Sequence, residues 1–291
     1  MSTVIISSTQ DTASTNIKKG LLTQSNWDEK GQFFKKTYYK SLDFPDLFLI
    51  TIQDKTIIHE QLEQEIITHL DIEPTKAIFI SRHRSKSGKP SLTTHPIGNF
   101  DEAKFGGRSQ TVSPTLPHHM TELLRIINEK RQQASLPQKV CFEVTHHGPY
   151  MSIPTLFTEV GSTKEEWVKQ EPANIIASSV LTLLDRFDDI TEKSTDIPVL
   201  LGVGGGHYAP RFTDVALEKR VAFSHMIPSY HLDQGAVTFN MFRKVIETST
   251  PLHGVYLHRK ALKKSQQTMI KQWCEEIDLP VVSSNDFDDI S

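Results

Sequence analysis

Short apolar runs alternate along the chain with longer segments of helical periodicity. The runs are rich in Val, Ile, Leu and Phe and do not alternate strictly with polar residues, which is typical of strands buried on both faces. They are TVIISS, LFLITIQ, KAIFISRH, KVCFEVTHH, TLFTEVGS, IPVLLGVGGG, HGVYLHRK and LPVVSS. The helical segments are HHMTELLRIINEKRQQA, KEEWVKQEPANIIASSVLTLLDRF, TDVALEKRVAF, VTFNMFRKVIETS and KKSQQTMIKQWCEEI. This alternation predicts an α/β fold with a mainly parallel central sheet flanked by helices.

The chain shows no internal repeat, low-complexity tract or obvious linker, and 291 residues suit one large α/β domain. Its least regular part spans about residues 84–118, which are rich in Gly, Pro, Ser and Thr and have no clear period. A long loop inside a compact domain is usually functional or mobile. We therefore predict a single domain over residues 1–291 with an irregular, loop-rich insertion at about 84–118.

Composition and charge narrow the class of protein. The formal net charge of −3 argues against indiscriminate nucleic-acid binding, which rests on a strongly basic surface, but it allows a local basic groove. The two cysteines, Cys141 and Cys274, suggest no disulfide framework and a reducing compartment. The N-terminus has the pattern of a core strand rather than a signal peptide, and no apolar segment approaches a membrane span in length. The sequence predicts a cytoplasmic protein without a membrane partner.

Polar clusters follow the ends of several predicted strands. SRHRS follows AIFI, THHGP follows CFEV, GST follows LFTEV, and GGGHYAPR follows VLLGV. Ligands bind beyond the carboxyl ends of the strands in an open α/β sheet. We therefore expect these loops, which are far apart in sequence, to meet at one edge of the sheet.

Histidine is frequent in these clusters, and Glu143 stands three residues before His146. Carboxylate and imidazole together are a common ligand set for catalytic zinc, although the spacing matches no standard zinc signature. For any one histidine, a hydrogen-bonded loop residue is an equally good interpretation. Successive side chains of a strand point to opposite faces, so of His146 and His147 we expect one to bind metal and the other to orient it.

The segment GVGGGHY resembles neither nucleotide-binding fingerprint. It lacks the lysine of a phosphate-binding loop, and the third glycine of the dinucleotide motif is replaced by His207. The glycines predict close backbone approach, and Thr213 or Asp214 is expected to cap the next helix. No GxSxG elbow occurs and neither cysteine has a convincing local base, so an activated water is favoured over a covalent nucleophile.

Five blocks together resemble the archaeal and plant-type D-aminoacyl-tRNA deacylase family. They are SRHRSKSGKPSLTTHPIGN, EVTHHGP, PTLFTEVGSTKEEW, GVGGGHYAPRFTD and FSHMIPSY, in order over about residues 81–230. The resemblance implies hydrolysis of the ester between a D-amino acid, such as D-tyrosine, and the 3′ end of tRNA, with broad tolerance of the side chain, which recycles tRNA and removes toxic D-aminoacyl-tRNA. It also implies a phosphorylase/peptidyl-tRNA-hydrolase-like fold, two zinc ions per subunit and usually a monomer. The expected partner is the acceptor end of D-aminoacyl-tRNA, and no obligate protein partner is evident.

The chemistry of the side chains and the positions of the motifs suggest roles for individual residues. The expected catalytic residues are His83, His147, Glu159 and His207. The expected metal ligands are His95, Glu143 and His146. The expected substrate contacts are Arg82, Arg84, Lys86, Gly204, Gly205, Gly206, Tyr208 and Arg211. Three alternatives stay open at this point: a zinc carboxypeptidase-like or amidase-like hydrolase of small acyl-amino acids, a nucleoside phosphorylase, and a non-enzymatic RNA-binding module.

Overall fold

The computed structural model of the chain describes residues 2–249 and 251–290. Its strands are β1 (Ser2–Ser8), β2 (Trp27–Phe33), β3 (Lys36–Ser41), β4 (Leu47–Ile52), β5 (Pro74–Arg82), β6 (Ser91–His95), β7 (Gly98–Asn99), β8 (Thr111–Val112), β9 (Lys139–Phe142), β10 (Thr155–Gly161), β11 (Val199–Val203), β12 (Ala222–Ile227), β13 (Gly254–Leu257) and β14 (Val281–Val282). Its α-helices are α1 (Thr12–Gln24), α2 (Leu62–Leu70), α3 (Pro117–Gln133), α4 (Lys164–Trp167), α5 (Gln170–Asp185), α6 (Phe187–Lys193), α7 (Pro210–Glu218), α8 (Ser229–Asp233), α9 (Phe239–Glu247) and α10 (Lys264–Glu276). None of the helices within these residues is long and apolar enough to cross a membrane.

The larger sheet has eight strands in the order β2-β3-β4-β1-β5-β10-β6-β9. Strands β4, β1, β5 and β10 are parallel neighbours, and β6 pairs antiparallel with β10 and parallel with β9. Successive residues of β1 face opposite sides: Ile5 packs in the core with α1, α3 and α5, whereas Val4 packs with α2. Burial on both faces explains the continuous apolar runs. The predicted α/β fold with a mostly parallel sheet and flanking helices is confirmed.

The smaller sheet is parallel throughout, in the order β12-β11-β13-β14. The segment after β9 joins the two sheets. The N–H of Glu143 donates to the Thr94 carbonyl on β6, while the N–H of Thr145 donates to the Met226 carbonyl on β12. Between them, the N–H of Val144 donates to the carbonyl of His207, which follows β11. Residues 143–145 therefore bring the ends of both sheets together.

Several local predictions were wrong. The segment 84–118 is not irregular throughout, because it contains β6, a fully buried strand of the larger sheet. The sequence SLTTH has one large apolar residue, so hydrophobic patterning could not reveal it. The segment TDVALEKRVAF is not one helix, since α7 ends at Glu218 and β12 begins at Ala222. The single-domain organisation stays a prediction.

The predicted helix cap after the glycine loop was also wrong. Helix α7 begins at Pro210, and Ala209 is its N-cap. Proline suits the first position of a helix because its missing N–H would have no partner there. Thr213 lies one turn inside, where its hydroxyl donates to the Ala209 carbonyl and accepts the N–H of Phe142. Thr213 therefore ties α7 to β9 instead of capping the helix.

Candidate metal and catalytic site

Residues from distant loops meet where the two sheets join. His83 directly follows β5, His95 ends β6, and Glu159 is near the end of β10. Glu143, His146 and His147 follow β9, and His207 and Tyr208 follow β11. The predicted convergence of the SRHRS, THHGP and GGGHY loops is confirmed by the contacts among these side chains.

Glu143 is the centre of the cluster. Its Oε2 atom lies 2.8 Å from Nε2 of His207, 3.0 Å from Nδ1 of His83 and 3.4 Å from Nε2 of His146. Glu159 is the second buried carboxylate, with Oε2 at 3.5 Å from Nδ1 of His83. Since the side chain of Glu143 is 0% exposed, its charge is compensated by these neighbours rather than by water.

The imidazole rings contact one another as well as the carboxylates. The ring centroid of His146 lies 4.0 Å from that of His147, 4.3 Å from that of His95 and 4.4 Å from that of His207. Five uncompensated imidazolium ions could not share this space, so most of these rings must be neutral or bound to a cation. A crowded set of neutral imidazoles is a typical metal-binding environment.

The cluster divides into two sets of three possible metal ligands. His95, His146 and His147 offer ligand atoms within 4.8 Å of one another, as do His83, Glu143 and His207. A third combination, formed by His95, Glu143 and Glu159, overlaps both sets. The predicted ligands His95, Glu143 and His146 are therefore divided between the two sets. Of the residues predicted as catalytic, His83, His147 and His207 are in ligand positions too.

His146 and His147 face the same site, contrary to the expectation from strand alternation. Strand β9 ends at Phe142, and His147 has a left-handed backbone with φ of 26°, followed by Gly148 with φ of 95°. The period of two applies only while the chain is extended. The turn at His147 brings its ring back beside that of His146, and both rings contact His95.

Several buried polar atoms of the cluster make no hydrogen bond of good geometry with the described residues, although some of them lie within ion-pair distance of a neighbour. They are Nε2 of His95, both carboxylate oxygens of Glu143, Nε2 of His146, Nδ1 of His147 and Oε2 of Glu159. Buried polar groups in proteins are nearly always hydrogen-bonded, so a concentration of exceptions needs an explanation. Imidazole nitrogens and carboxylate oxygens together are the donor set that Zn²⁺ prefers. The residues therefore fit a zinc site.

The electrostatics of the two carboxylates support the same conclusion. Burial would raise the pKa of Glu143, but His83 and His207 outweigh burial and hold that pKa well below its usual range. Burial likewise opposes ionisation of Glu159, whereas hydrogen bonds from His83 and His95 lower its pKa to about 2. Both side chains are carboxylates at neutral pH, and their negative charge attracts a cation.

The pKa values of the histidines are shifted in opposite directions. Burial would lower the pKa of His83, but Glu143 and Glu159 raise it to about 11. Burial, reinforced by the nearby His95, lowers the pKa of His147 to about 4. Burial also holds the pKa of His146 well below its ordinary value. The rings of His147 and His146 are therefore neutral at pH 7, the state in which an imidazole nitrogen binds metal, whereas His83 must release its proton before its Nδ1 atom can bind metal.

Neighbouring groups fix the orientation of the rings. Nδ1 of His146 lies 2.7 Å from the Val144 carbonyl, and Nδ1 of His95 lies 3.1 Å from the Pro96 carbonyl. A proton on each Nδ1 leaves Nε2 free as the ligand atom, a common arrangement around metal-bound histidines. On the opposite side, Nε2 of His83 contacts the Tyr208 hydroxyl at 2.9 Å.

Two cavities open on the cluster. The first, of about 400 Å³, is lined by Asp11, Lys55, Thr56, Ile57, Ser81, Arg82, His83, Arg84, Phe105, His146, His147, Glu159 and His207. The second, of about 410 Å³, is lined by residues 98–102, Lys104, Phe105, His146, His147, His207, Tyr230, His231 and Gln234. The cavities share Phe105 and three histidines, so a ligand at the cluster can extend in two directions.

Some predicted substrate contacts line these cavities and others do not. Arg82 and Arg84 line the first cavity, whereas Lys86 is exposed on the same loop outside it. Arg211 lies in neither cavity, because its guanidinium bonds to the Tyr256 hydroxyl and to Ser284. Tyr208 reaches the site through its contact with His83.

Two of the three glycines make contacts within the chain. The N–H of Gly204 donates to the Ile227 carbonyl, and that of Gly205 donates to the Ser229 hydroxyl. A Cβ atom on Gly204 would lie 3.1 Å from Cβ of His258, so the group that approaches this backbone closely belongs to the chain itself. Around Gly206 nothing lies within 4 Å of an added Cβ atom. Two of the three N–H groups are thus already engaged.

The sequence did not single out several residues that line the cavities, among them Lys55, Asp101, Phe105, Tyr230 and His231. Lys55 stands outside the polar clusters, and Asp101 and Phe105 lie in the irregular segment 84–118, where no pattern distinguishes individual residues. Tyr230 ends the block FSHMIPSY, and that position was its only signal.

Known proteins resemble the chain over nearly its whole length. The model of the D-aminoacyl-tRNA deacylase family matches residues 70–282. A D-aminoacyl-tRNA deacylase of Thermococcus onnurineus (strain NA1) is 34% identical over 283 residues, which cover 96% of this chain and 98% of the relative. One of Pyrococcus furiosus is 33% identical over 282 residues, with the same coverage of both chains. Among solved structures, the conserved protein of unknown function AF0625 matches with a TM-score of 0.86 and 28% identity, covering 98% of both chains.

Proposed function

The chain belongs to the D-aminoacyl-tRNA deacylase family, and we propose that its cluster of imidazoles and carboxylates carries out ester hydrolysis with bound zinc. The enzyme is a hydrolase that cleaves the ester between a D-amino acid and tRNA, in agreement with its relatives over the full length. The activity expected from the five sequence blocks is therefore confirmed. Zinc, the roles of individual residues and the activity on D-tyrosyl-tRNA are parts of the proposal.

The observation that carries the proposal is the pair of ligand sets around Glu143. One set consists of His95, His146 and His147, and the other of His83, Glu143 and His207. The clustering of their nitrogens and oxygens, several of which make no hydrogen bond of good geometry, supports binding of two zinc ions, one at each set. Bound zinc supplies a Lewis acid and lowers the pKa of a water ligand.

The residues of the chain have separate tasks around that centre. Glu143 and Glu159 supply the negative charge that keeps cations and His83 in place. Tyr208 holds the other nitrogen of His83 through its hydroxyl, so the ring cannot rotate freely. Ser81 donates its hydroxyl to Glu159 and fixes that carboxylate in the same way. These contacts provide preorganisation, which reduces the reorganisation needed during the reaction.

His207 is the residue of its ligand set that lines both cavities. Its side chain is 39% exposed, whereas that of His83 is 4% exposed. Its Nε2 atom also contacts Glu143. Among the four predicted catalytic residues, His207 therefore fits a metal ligand that lies beside the substrate, and His83, His147 and Glu159 fit binding and positioning.

The test is a deacylation assay with matched substrates. The purified chain, loaded with zinc, should release D-tyrosine from D-tyrosyl-tRNA and leave L-tyrosyl-tRNA largely intact. N-acyl amino acids serve as control substrates for the amidase-like alternative. Absence of turnover on the D-ester, or faster turnover of N-acyl amino acids, would refute the proposal.

A further inference from the structure

The two cavities that share the histidines differ in the charges on their walls. We call the first the basic chamber, because Lys55, Arg82 and Arg84 line it beyond the cluster. Lys55 and Arg84 are exposed, and neither side chain forms an ion pair with a described residue. Its carboxylates are Glu159, which lies beside His83, and Asp11, which accepts the N–H groups of Ser14 and Arg82. The basic chamber therefore offers free positive charge.

We call the second cavity the loop chamber, because residues 98–105 form one wall and Tyr230, His231 and Gln234 form another. Glu102 and Lys104 lie 3.6 Å apart and compensate each other at its exposed rim. Asp101 is half-buried, and its carboxylate makes no hydrogen bond or ion pair with any described residue. The loop chamber therefore contains one uncompensated negative charge.

His231 adds a second unpaired group to the wall of the same chamber. Its Nδ1 atom is buried and has no hydrogen-bond partner among the described residues. Burial lowers the pKa of His231, and the negative charge of Asp101 only partly opposes this effect, so the ring is neutral at pH 7. A carboxylate and a neutral imidazole on one chamber wall can both accept hydrogen bonds from a small cationic group.

An aminoacyl-tRNA has the complementary distribution of charge around its ester bond. The nucleotides on one side carry phosphates, and the amino acid on the other side carries a single α-ammonium group. Both chambers end at His146, His147 and His207. An ester held at these histidines therefore extends one part into each chamber.

On the basis of the proposed function, we propose that the loop chamber is the aminoacyl subsite, in which Asp101 and His231 bind the α-ammonium group of the D-amino acid. The terminal nucleotides then lie in the basic chamber beside Lys55 and Arg84. Phe105 lines both chambers and is 65% exposed, so it marks the boundary between the two parts of the substrate. Asp101 thereby acts as a specificity residue for a free amino group.

The test compares two substrates that differ only at the amino group: D-tyrosyl-tRNA and N-acetyl-D-tyrosyl-tRNA. Acetylation removes the positive charge. The variant Asp101→Asn should lower kcat/KM for the free-amino substrate by about 10-fold to 100-fold, the effect of one hydrogen bond to a charged group. It should leave kcat/KM for the acetylated substrate within about two-fold of the unsubstituted enzyme, because that substrate cannot use the carboxylate.

Two further variants make the result decisive. Asp188→Asn on α6 removes one carboxylate charge outside both chambers and should leave kcat/KM unchanged for both substrates. Asp101→Glu retains the charge and should preserve part of the preference for a free amino group. Equal losses on both substrates, or no loss on either, would overturn the assignment of Asp101. Failure of the unsubstituted enzyme on both substrates would instead refute the proposed function, and the subsite with it.

Discussion

The Nε2 atom of His207 lies 2.8 Å from Oε2 of Glu143, although the histidine follows a strand of the smaller sheet and the glutamate follows a strand of the larger sheet. The backbone reinforces this contact, because the N–H of Val144 donates to the His207 carbonyl. The candidate zinc site thus exists only where the two sheets meet. Its geometry depends on how these sheets are joined.

Substitution of Glu143 should abolish the site without preventing folding. Glu143→Gln removes the carboxylate contacted by three imidazoles, so bound zinc should fall and the deacylation rate should decrease by at least about 100-fold. Elemental analysis and initial rates measure the two effects. Glu165→Gln, an exposed position in the first turn of α4, should change neither quantity. Normal zinc content in Glu143→Gln would show that this carboxylate is not part of the metal site.

Removal of the cations of the basic chamber should weaken tRNA binding. Lys55→Ala and Arg84→Ala should each raise KM and reduce the slope of log KM against log salt by about one, because each cation neutralises about one phosphate. The value of kcat should stay nearly constant, since neither side chain contacts the histidine cluster.

Two lysines provide controls for the cation substitutions. Lys86→Ala should have a smaller effect, because Lys86 does not line the chamber. Lys271→Ala on α10 should have no effect. A salt slope that is unchanged in Arg84→Ala would contradict the placement of nucleotides in this chamber.

Packing of the loop over the site depends on a glycine. Gly106 has φ of 86°, and an added Cβ atom would lie 1.6 Å from the Ile57 carbonyl oxygen. Gly106→Ala should therefore displace the loop that carries Phe105, lower the free energy of unfolding by about 1–3 kcal/mol and reduce kcat/KM. Urea unfolding measures the stability. Gly206→Ala, where an added Cβ meets nothing within 4 Å, should unfold like the unsubstituted chain; equal stability of both variants would contradict this account of the loop.

The free energy of unfolding should fall at acidic pH because His225 is buried in its neutral form. Burial lowers its pKa from 6.5 to about 3, and the Thr145 hydroxyl and the Ser113 carbonyl hold the neutral ring. His225 binds a proton more readily in the unfolded state than in the folded state. Its contribution to the free energy of unfolding is therefore complete above about pH 6.5 and is lost as the pH falls towards 3. The slope is at most about 1.4 kcal/mol per pH unit for this group.

The substitution His225→Gln isolates the contribution of that histidine from the other buried histidines. Free energies of unfolding in urea at several pH values between about 4 and 7 should depend less steeply on pH in the variant than in the unsubstituted chain. Parallel curves for the two proteins would show that His225 does not account for the pH dependence.

The sequence predicted the buried parallel strands well, because a strand covered on both faces must be apolar along its whole length. It did not predict β6 or β12, which contain buried polar residues such as Thr93, Thr94 and His225. It also missed the edge strand β2 and its neighbour β3, which are mainly polar. Pairing with neighbouring strands, which no local pattern records, places these segments in the sheet.

The convergence of the three loops could be predicted because loops at the carboxyl ends of strands meet at one edge of a sheet. The sequence could not show which of these residues contact one another at the site, because those contacts depend on the direction of each side chain. The left-handed turn at His147 placed two adjacent histidines on one site. The side chains near Gly204 showed that the glycine loop packs against the chain itself.

Anomalous scattering at the zinc absorption edge, recorded from crystals of a preparation with measured deacylation activity, tests the central claim most directly. We expect a zinc peak within ligand distance of His95, His146 and His147 and another within ligand distance of His83, Glu143 and His207. Fully active crystals without zinc at these side chains, or with zinc bound only elsewhere, would contradict it.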